Sequence, residues 1–197
     1  MKRSIVCADI VEVPSDALIY STNVGLMLTG GVGAALLRKF GVRTQIDLQS
    51  RSIGTGRQLA EVGEIIQSPI AGAPWKKVFH TIATDEAYRT DPIVVRSILK
   101  RCLKICAEAT DVKTITCSAL GAGYGDLDLV LFASMAEELC REFDDSPIDG
   151  FSVVSYDPKE CETLLRSTPS NWNMTKENLP LAPMPLSGTS ETFGKTC

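Results

Sequence analysis

Two glycine-rich bends carry the residues of this 197-residue chain best suited to chemistry. The first lies in TGGVGAALLRKFG (29–41), downstream of the apolar run DALIYSTN (16–23). The second lies in SALGAGYGDLD (118–128), after KTITC (113–117). Glycine lets backbone N–H groups converge and lets a ligand come close. A helix N-terminus behind such a bend adds partial positive charge, so both stretches read as anion cradles. Two cradles in one compact chain fit a ligand with more than one phosphate, and a dinucleotide-like molecule is the natural candidate. Neither bend is followed by Lys-Ser or Lys-Thr, which excludes the usual NTPase phosphate loop. GAGYG opens a GxGxxG pattern at Gly121, but Asp126 stands where the third glycine belongs, and the bend comes late in the chain for a dinucleotide oxidoreductase.

Other reactive side chains are sparse. His80, the only histidine, sits inside the strand-like KKVFHTIAT and is expected to be a strand residue rather than a general base. Cys117 precedes the second bend without an identifiable base beside it, so a buried thiol is expected rather than a nucleophile. The seven cysteines are odd in number and lie mostly in apolar stretches, which predicts free thiols in a reducing compartment, cytoplasmic or otherwise intracellular. Cys102 and Cys106 are four apart, but no second cysteine pair lies at zinc-ligand spacing, so no metal is expected.

The elements that must position the bends follow from periodicity. Strand-like runs fall at 4–7, 17–21, 64–67, 77–83, 112–117 and 151–156, several of them continuously apolar, as in strands covered on both faces. Helix-like stretches alternate with them. One opens at Gly31 and stops at Gly41. Another runs from Pro92 to Ala109 behind the cap Asp91, a third follows the second bend, and a short one begins at Asp157 with Pro158 in its first turn. The alternation predicts an α/β fold, a three-layer α/β/α sandwich around a central mixed, largely parallel sheet. From about Ser167 the chain turns rich in Pro, Ser and Thr. Residues 1–167 are therefore expected to form the domain, and 168–197 an extended or flexible tail.

Composition is that of a globular protein, with 44% hydrophobic and 22% charged residues. No apolar run approaches a membrane span, and MKRSIVCADI meets Asp9 too early for a signal peptide. The net charge of −4 argues against general nucleic-acid binding, though not against phosphate binding by backbone amides.

Five segments, in order, resemble the macrodomain family, over roughly Ser4 to Ser167. ADIVEVPSDALIYSTN is similar to its opening, TGGVGAAL to its first phosphate loop, and EVGEIIQSPIAGAPWKKVFHTIA to its middle strands. SALGAGYGDLD resembles the second phosphate loop, and VSYDPKECETLL the closing strand and helix. The resemblance implies a three-layer α/β/α domain whose ligand is ADP-ribose, without a cofactor, and whose partners are ADP-ribose or an ADP-ribosylated macromolecule. It puts Asp9 on the adenine amine, Ile10 against the base and Tyr156 in a stack on adenine worth roughly 1–3 kcal/mol. Gly30, Gly31 and Val32 would supply amides to one side of the diphosphate, and Gly121, Ala122, Gly123 and Tyr124 to the other. Tyr124 would also lean over the distal ribose, which Asn23 would reach.

Three departures bear on mechanism. Tyr20 takes the place of the family's first asparagine, and Gly33 that of the first-loop aspartate found in members that remove mono-ADP-ribose. Gly125 takes that of a second-loop aspartate, with Asp126 one residue later. The first expectation is therefore an ADP-ribose-binding module. The alternative is a hydrolase that removes ADP-ribose from targets, or processes its 1''-phosphate or O-acetyl ester, with Asn23 holding a water.

Overall fold

The computed structural model describes residues 1–53, 56 and 59–176. Its order is β1 (Lys2–Cys7), a 3-10 turn (Ile10–Glu12), β2 (Ala17–Thr22), α1 (Gly31–Phe40), α2 (Val42–Ile53), β3 (Ile65–Gln67) and β4 (Lys77–Ile82). There follow α3 (Pro92–Glu108), β5 (Thr114–Ser118), α4 (Leu129–Glu142), β6 (Gly150–Ser155), α5 (Pro158–Ser167) and β7 (Trp172–Lys176). The strands form one mixed sheet in the order β3-β4-β2-β5-β6-β1-β7. Every pairing is parallel except β3 with β4, an antiparallel edge.

Alternate residues feed two cores, as the period of a strand requires. Ile5, Ala17, Ile19, Phe79 and Val153 point to one face and pack with α3, α4 and α5. Val6, Leu18, Tyr20, Val78 and Val154 point to the other and pack with α1 and α2. The fold is the three-layer α/β/α sandwich that the alternation of strands and helices predicts.

Two elements depart from the sequence reading. The sheet does not end before residue 168: Trp172–Lys176 pairs in parallel with β1. Trp172 holds it there, packing edge-on against Phe151 and donating its Nε1 hydrogen to Glu137 at 2.7 Å. Glu137, buried, also faces Arg3 at 3.4 Å and Arg141 at 2.6 Å. The rest of the expected tail, 177–197, lies outside the described residues. The second departure is α2, which no periodic apolar signal announces because Val42 and Ile46 face solvent while Thr44 and Leu48 are buried.

Tyr20 and His80, opposite each other on β2 and β4, form a buried polar pair on the α1/α2 face. Ser68 O lies 3.2 Å from His80 Nε2. A carbonyl only accepts, so Nε2 carries the proton and Nδ1 accepts from the Tyr20 hydroxyl. His80 is thus a structural strand residue, as expected. Burial pushes its pKa down to about 4.

A histidine whose folded pKa lies below its unfolded value of about 6.5 stabilises the fold above pH 6.5. That stability is lost as the unfolded chain takes up the proton first. Because His80 is the only histidine, the window between about pH 6.5 and 4 belongs to it. Asp16, held at about 2, acts lower. Urea unfolding should lose stability on the order of 3 kcal/mol across that window, and His80→Gln should flatten the slope. An unchanged slope in the variant would refute the assignment.

Candidate functional site

β2 and β5 are neighbours in the sheet, but the chain leaves β2 toward α1 on one face and leaves β5 toward α4 on the other. A crevice opens where such connections diverge, at the carboxyl ends of the strands. There the protein has a cleft of about 610 Å³. All of the residues expected from sequence line it: Asp9 and Ile10 after β1, Asn23 after β2, Gly30, Gly31 and Val32 at α1, Gly121–Tyr124 after β5, and Tyr156 after β6.

The two bends differ in construction. Asp91, Asp128 and Asp157 cap α3, α4 and α5 with side-chain hydrogen bonds, whereas α1 opens on Gly30 with no side-chain cap. Its first-turn N–H groups stay available to an anion. The second bend is not a helix N-terminus of that kind. Asp128 already takes the amides of Val130 and Leu131, so its anion-binding capacity rests on the turn itself.

That turn winds around one carbonyl. Gly121 O accepts from Leu127 N at 3.1 Å and from Thr90 Oγ1 at 3.1 Å. Gly121 has φ +74, and a Cβ at Gly125 would collide with Gly121 O and the Thr90 hydroxyl. Asp126, one residue on, accepts from Thr90 N at 2.7 Å and is thus a brace.

Tyr124 reaches across from the second bend to the first. Its ring lies so close over Gly30 that a Cβ there would stand 2.5 Å from the phenol oxygen. A second aromatic, unforeseen in the sequence, stands beside it: Tyr88, with ring centroids 6.1 Å apart. Tyr88 sits in a hairpin pinned by a bridge between Thr84 and Thr90, with φ +59, an uncommon conformation for a non-glycine residue. Asp85 holds that conformation by accepting from Ala87 N, Arg89 N and Arg89 Nε.

At the other end, Asp9 Oδ1 accepts from Val11 N at 3.2 Å, and Oδ2 lies 4.0 Å from Arg38. Lys39 of α1 bonds Val11 O at 2.7 Å and Glu12 at 2.8 Å, tying this segment to the first bend. Asp157 caps α5, and Glu160 accepts from Ser155 Oγ.

Asn23, expected to face the distal ribose and hold a water, also closes its own turn. Its Nδ2 donates to Met27 O at 2.9 Å and its Oδ1 accepts from Met27 N at 3.0 Å, closing the 23–27 turn. Each arm of the amide thus makes one hydrogen bond to the turn, and each keeps the capacity for a second. Gln45 of α2 continues the clamp, bonding Leu28 N and Leu26 O. Thr22, also missed, lines the cleft with a buried hydroxyl that makes no hydrogen bond among the described residues.

Burial drives the Cys117 thiol far above its ordinary pKa, and its Sγ donates to Ser118 O. Among the described residues, no group of three or more His, Cys, Asp or Glu could hold a metal ion.

The family model of the Macro domain matches residues 19–136, more than half of the chain. The chain belongs to that family. This macrodomain is 26% identical over 167 residues to an ADP-ribose glycohydrolase of Archaeoglobus fulgidus, covering 80% of this chain and 87% of that one. Among solved structures it resembles the Trypanosoma brucei macrodomain in complex with ADP-ribose, at TM-score 0.68 and 17% identity, over 83% of this chain and 68% of that one. It also resembles the Oceanobacillus iheyensis macrodomain with ADP, at TM-score 0.70 and 17% identity, over 83% and 87%.

The tightness of the second bend is testable without a ligand. Gly125→Ala should destabilise the macrodomain by about 1–3 kcal/mol through overpacking. Gly123→Ala, with open space around its Cβ position, should stay within about 0.5 kcal/mol in the same thermal melts. Equal losses in both would refute the packing account.

Proposed function

We propose that this macrodomain binds ADP-ribose, free or carried on a macromolecule, with the diphosphate held between the two bends. The observation that carries the reading is the uncapped first turn of α1, facing a glycine turn whose Tyr124 arches back over Gly30. Backbone amides at both bends meet the negative charge, so no lysine or arginine is required. The adenine end lies at Asp9, Ile10 and Tyr156. Asp9 suits the exocyclic amine because a carboxylate whose Oδ1 caps the 3-10 turn keeps lone pairs for a second donor. The distal ribose falls under Tyr124 and Tyr88, on the side of the Asn23 turn.

The name of the Archaeoglobus relative favours a second reading, hydrolysis at the distal ribose. Against it stands the glycine at position 33, where the resemblance places an aspartate in members that remove mono-ADP-ribose. We therefore favour binding without turnover.

Calorimetry tests both ends. ADP-ribose should bind more tightly than ADP, and ADP more tightly than AMP. Asp9→Ala should weaken all three by about tenfold or more, the cost of a hydrogen bond to a charged group. Tyr124→Ala should narrow the gap between ADP-ribose and ADP. Absence of heat with ADP-ribose would overturn the proposal. Release of ADP-ribose from a modified peptide by the wild type, lost in Asn23→Ala, would establish the hydrolase instead.

A further inference from the structure

The hairpin that carries Tyr88 has a second face. Tyr88 lines the large cleft, while its neighbours Ala87 and Arg89 line a separate cavity of about 350 Å³. That cavity is floored by Val24, Ala60 and Val62. Val24 directly follows Asn23 and accepts a hydrogen bond from Ala60 N at 2.8 Å. The small cavity therefore begins where the cleft ends, with the braced hairpin as the wall between them.

Its charges are unequal. The lining holds two acids, Asp85 and Glu86, and one base, Arg89. Arg89 is spent on Asp85 at 2.7 Å. Glu86 is exposed and makes no ion pair among the described residues. An apolar floor beside an unneutralised carboxylate suits the side chain of lysine or arginine, whose methylene stem covers apolar surface while its head stays at the rim. A nucleic acid would need free cations for its phosphates, and the described residues of this lining offer none.

We propose that this cavity is an acceptor subsite: it takes a cationic residue of a polypeptide that carries ADP-ribose on a neighbouring side chain. The inference rests on the ADP-ribose reading above and specifies the macromolecule as protein rather than nucleic acid. Strain at Tyr88 supports it. Three hydrogen bonds to Asp85 hold a tyrosine at φ +59, which puts one aromatic wall between the sugar and whatever is joined to it.

The test compares four probes by calorimetry: ADP-ribose, a peptide with ADP-ribose on a serine flanked by lysines, the same peptide flanked by glutamates, and a DNA oligonucleotide with terminal ADP-ribose. The lysine-flanked peptide should bind roughly fivefold more tightly than free ADP-ribose, the scale of one exposed ion pair with some apolar contact. The glutamate-flanked peptide and the oligonucleotide should bind no more tightly than ADP-ribose. Glu86→Lys should abolish the gain and leave the affinity for ADP-ribose unchanged. Any other ranking of the modified probes, or a gain that survives Glu86→Lys, overturns the subsite while the parent reading stands. No binding of ADP-ribose by the wild type overturns the parent reading, and the subsite with it.

Discussion

The parallel pairing of β2 with β5 is the constraint from which the site follows. It sets side by side two strands whose continuations run to opposite faces of the sheet, and the gap between those continuations is the cleft. At the far end of the same strands Asp16 fixes the register. Its Oδ2 accepts from Lys113 N, Thr114 N and Thr114 Oγ1, and its Oδ1 meets Lys76 at 2.7 Å. The Lys76 ion pair, with the amides of Lys113 and Thr114, holds its carboxyl at about 2, so the brace is ionised throughout the neutral and mildly acidic range. One side chain thereby joins the starts of β2 and β5 and the approach to β4. A slip of one residue between β2 and β5 would exchange Leu18 and Tyr20 for Ile19 between the two cores, and the bends would no longer face each other.

The two sides of the cleft divide the work unequally. The first bend keeps its donors free: glycines open α1, and no side chain competes for its amides. The second is packed against its own carbonyl and against Thr90, with little room to adjust. An anion-binding surface benefits from both properties, since free donors supply the attraction and a fixed wall limits the ordering cost of binding. Met27, Tyr88 and Tyr124 are exposed where they line the cleft, so its more apolar mouth lies beside the Asn23 turn.

Much of this was legible in the chain. The continuous apolar runs identified six strands, and the glycines located both bends, because those signals are local: period, β-branching and turn chemistry. What escaped depended on distant partners. β7 has a polar sequence and exists because Trp172 finds Phe151 and Glu137. α2 exposes two of its apolar residues, so its pattern is faint, yet its Gln45 holds the 26–28 backbone. Tyr88 owes its place to Asp85, Thr90 and Asp126, three residues whose spacing carries no recognisable motif. Asn23 was placed in the cleft from sequence, but its bonds to Met27 were not foreseen, since sequence cannot say whether an amide faces a ligand or its own turn.

One of the departures, Gly33, has a packing origin in the turn before it. Leu26, at φ +54, Asn23 and Gln45 together lock the turn that leads into α1. Leu28, fully buried, then comes to rest against the first turn of the helix. At Gly33 a Cβ would stand 3.0 Å from the Leu28 Cα, backbone that the Gln45 bond to Leu28 N holds in place. A side chain at that position would need the Leu28 backbone to give by a few tenths of an ångström. The glycine and the clamped asparagine are thus one feature seen from two sides. This chain has closed the turn tightly around a glycine, and the helix that follows opens without a side-chain cap.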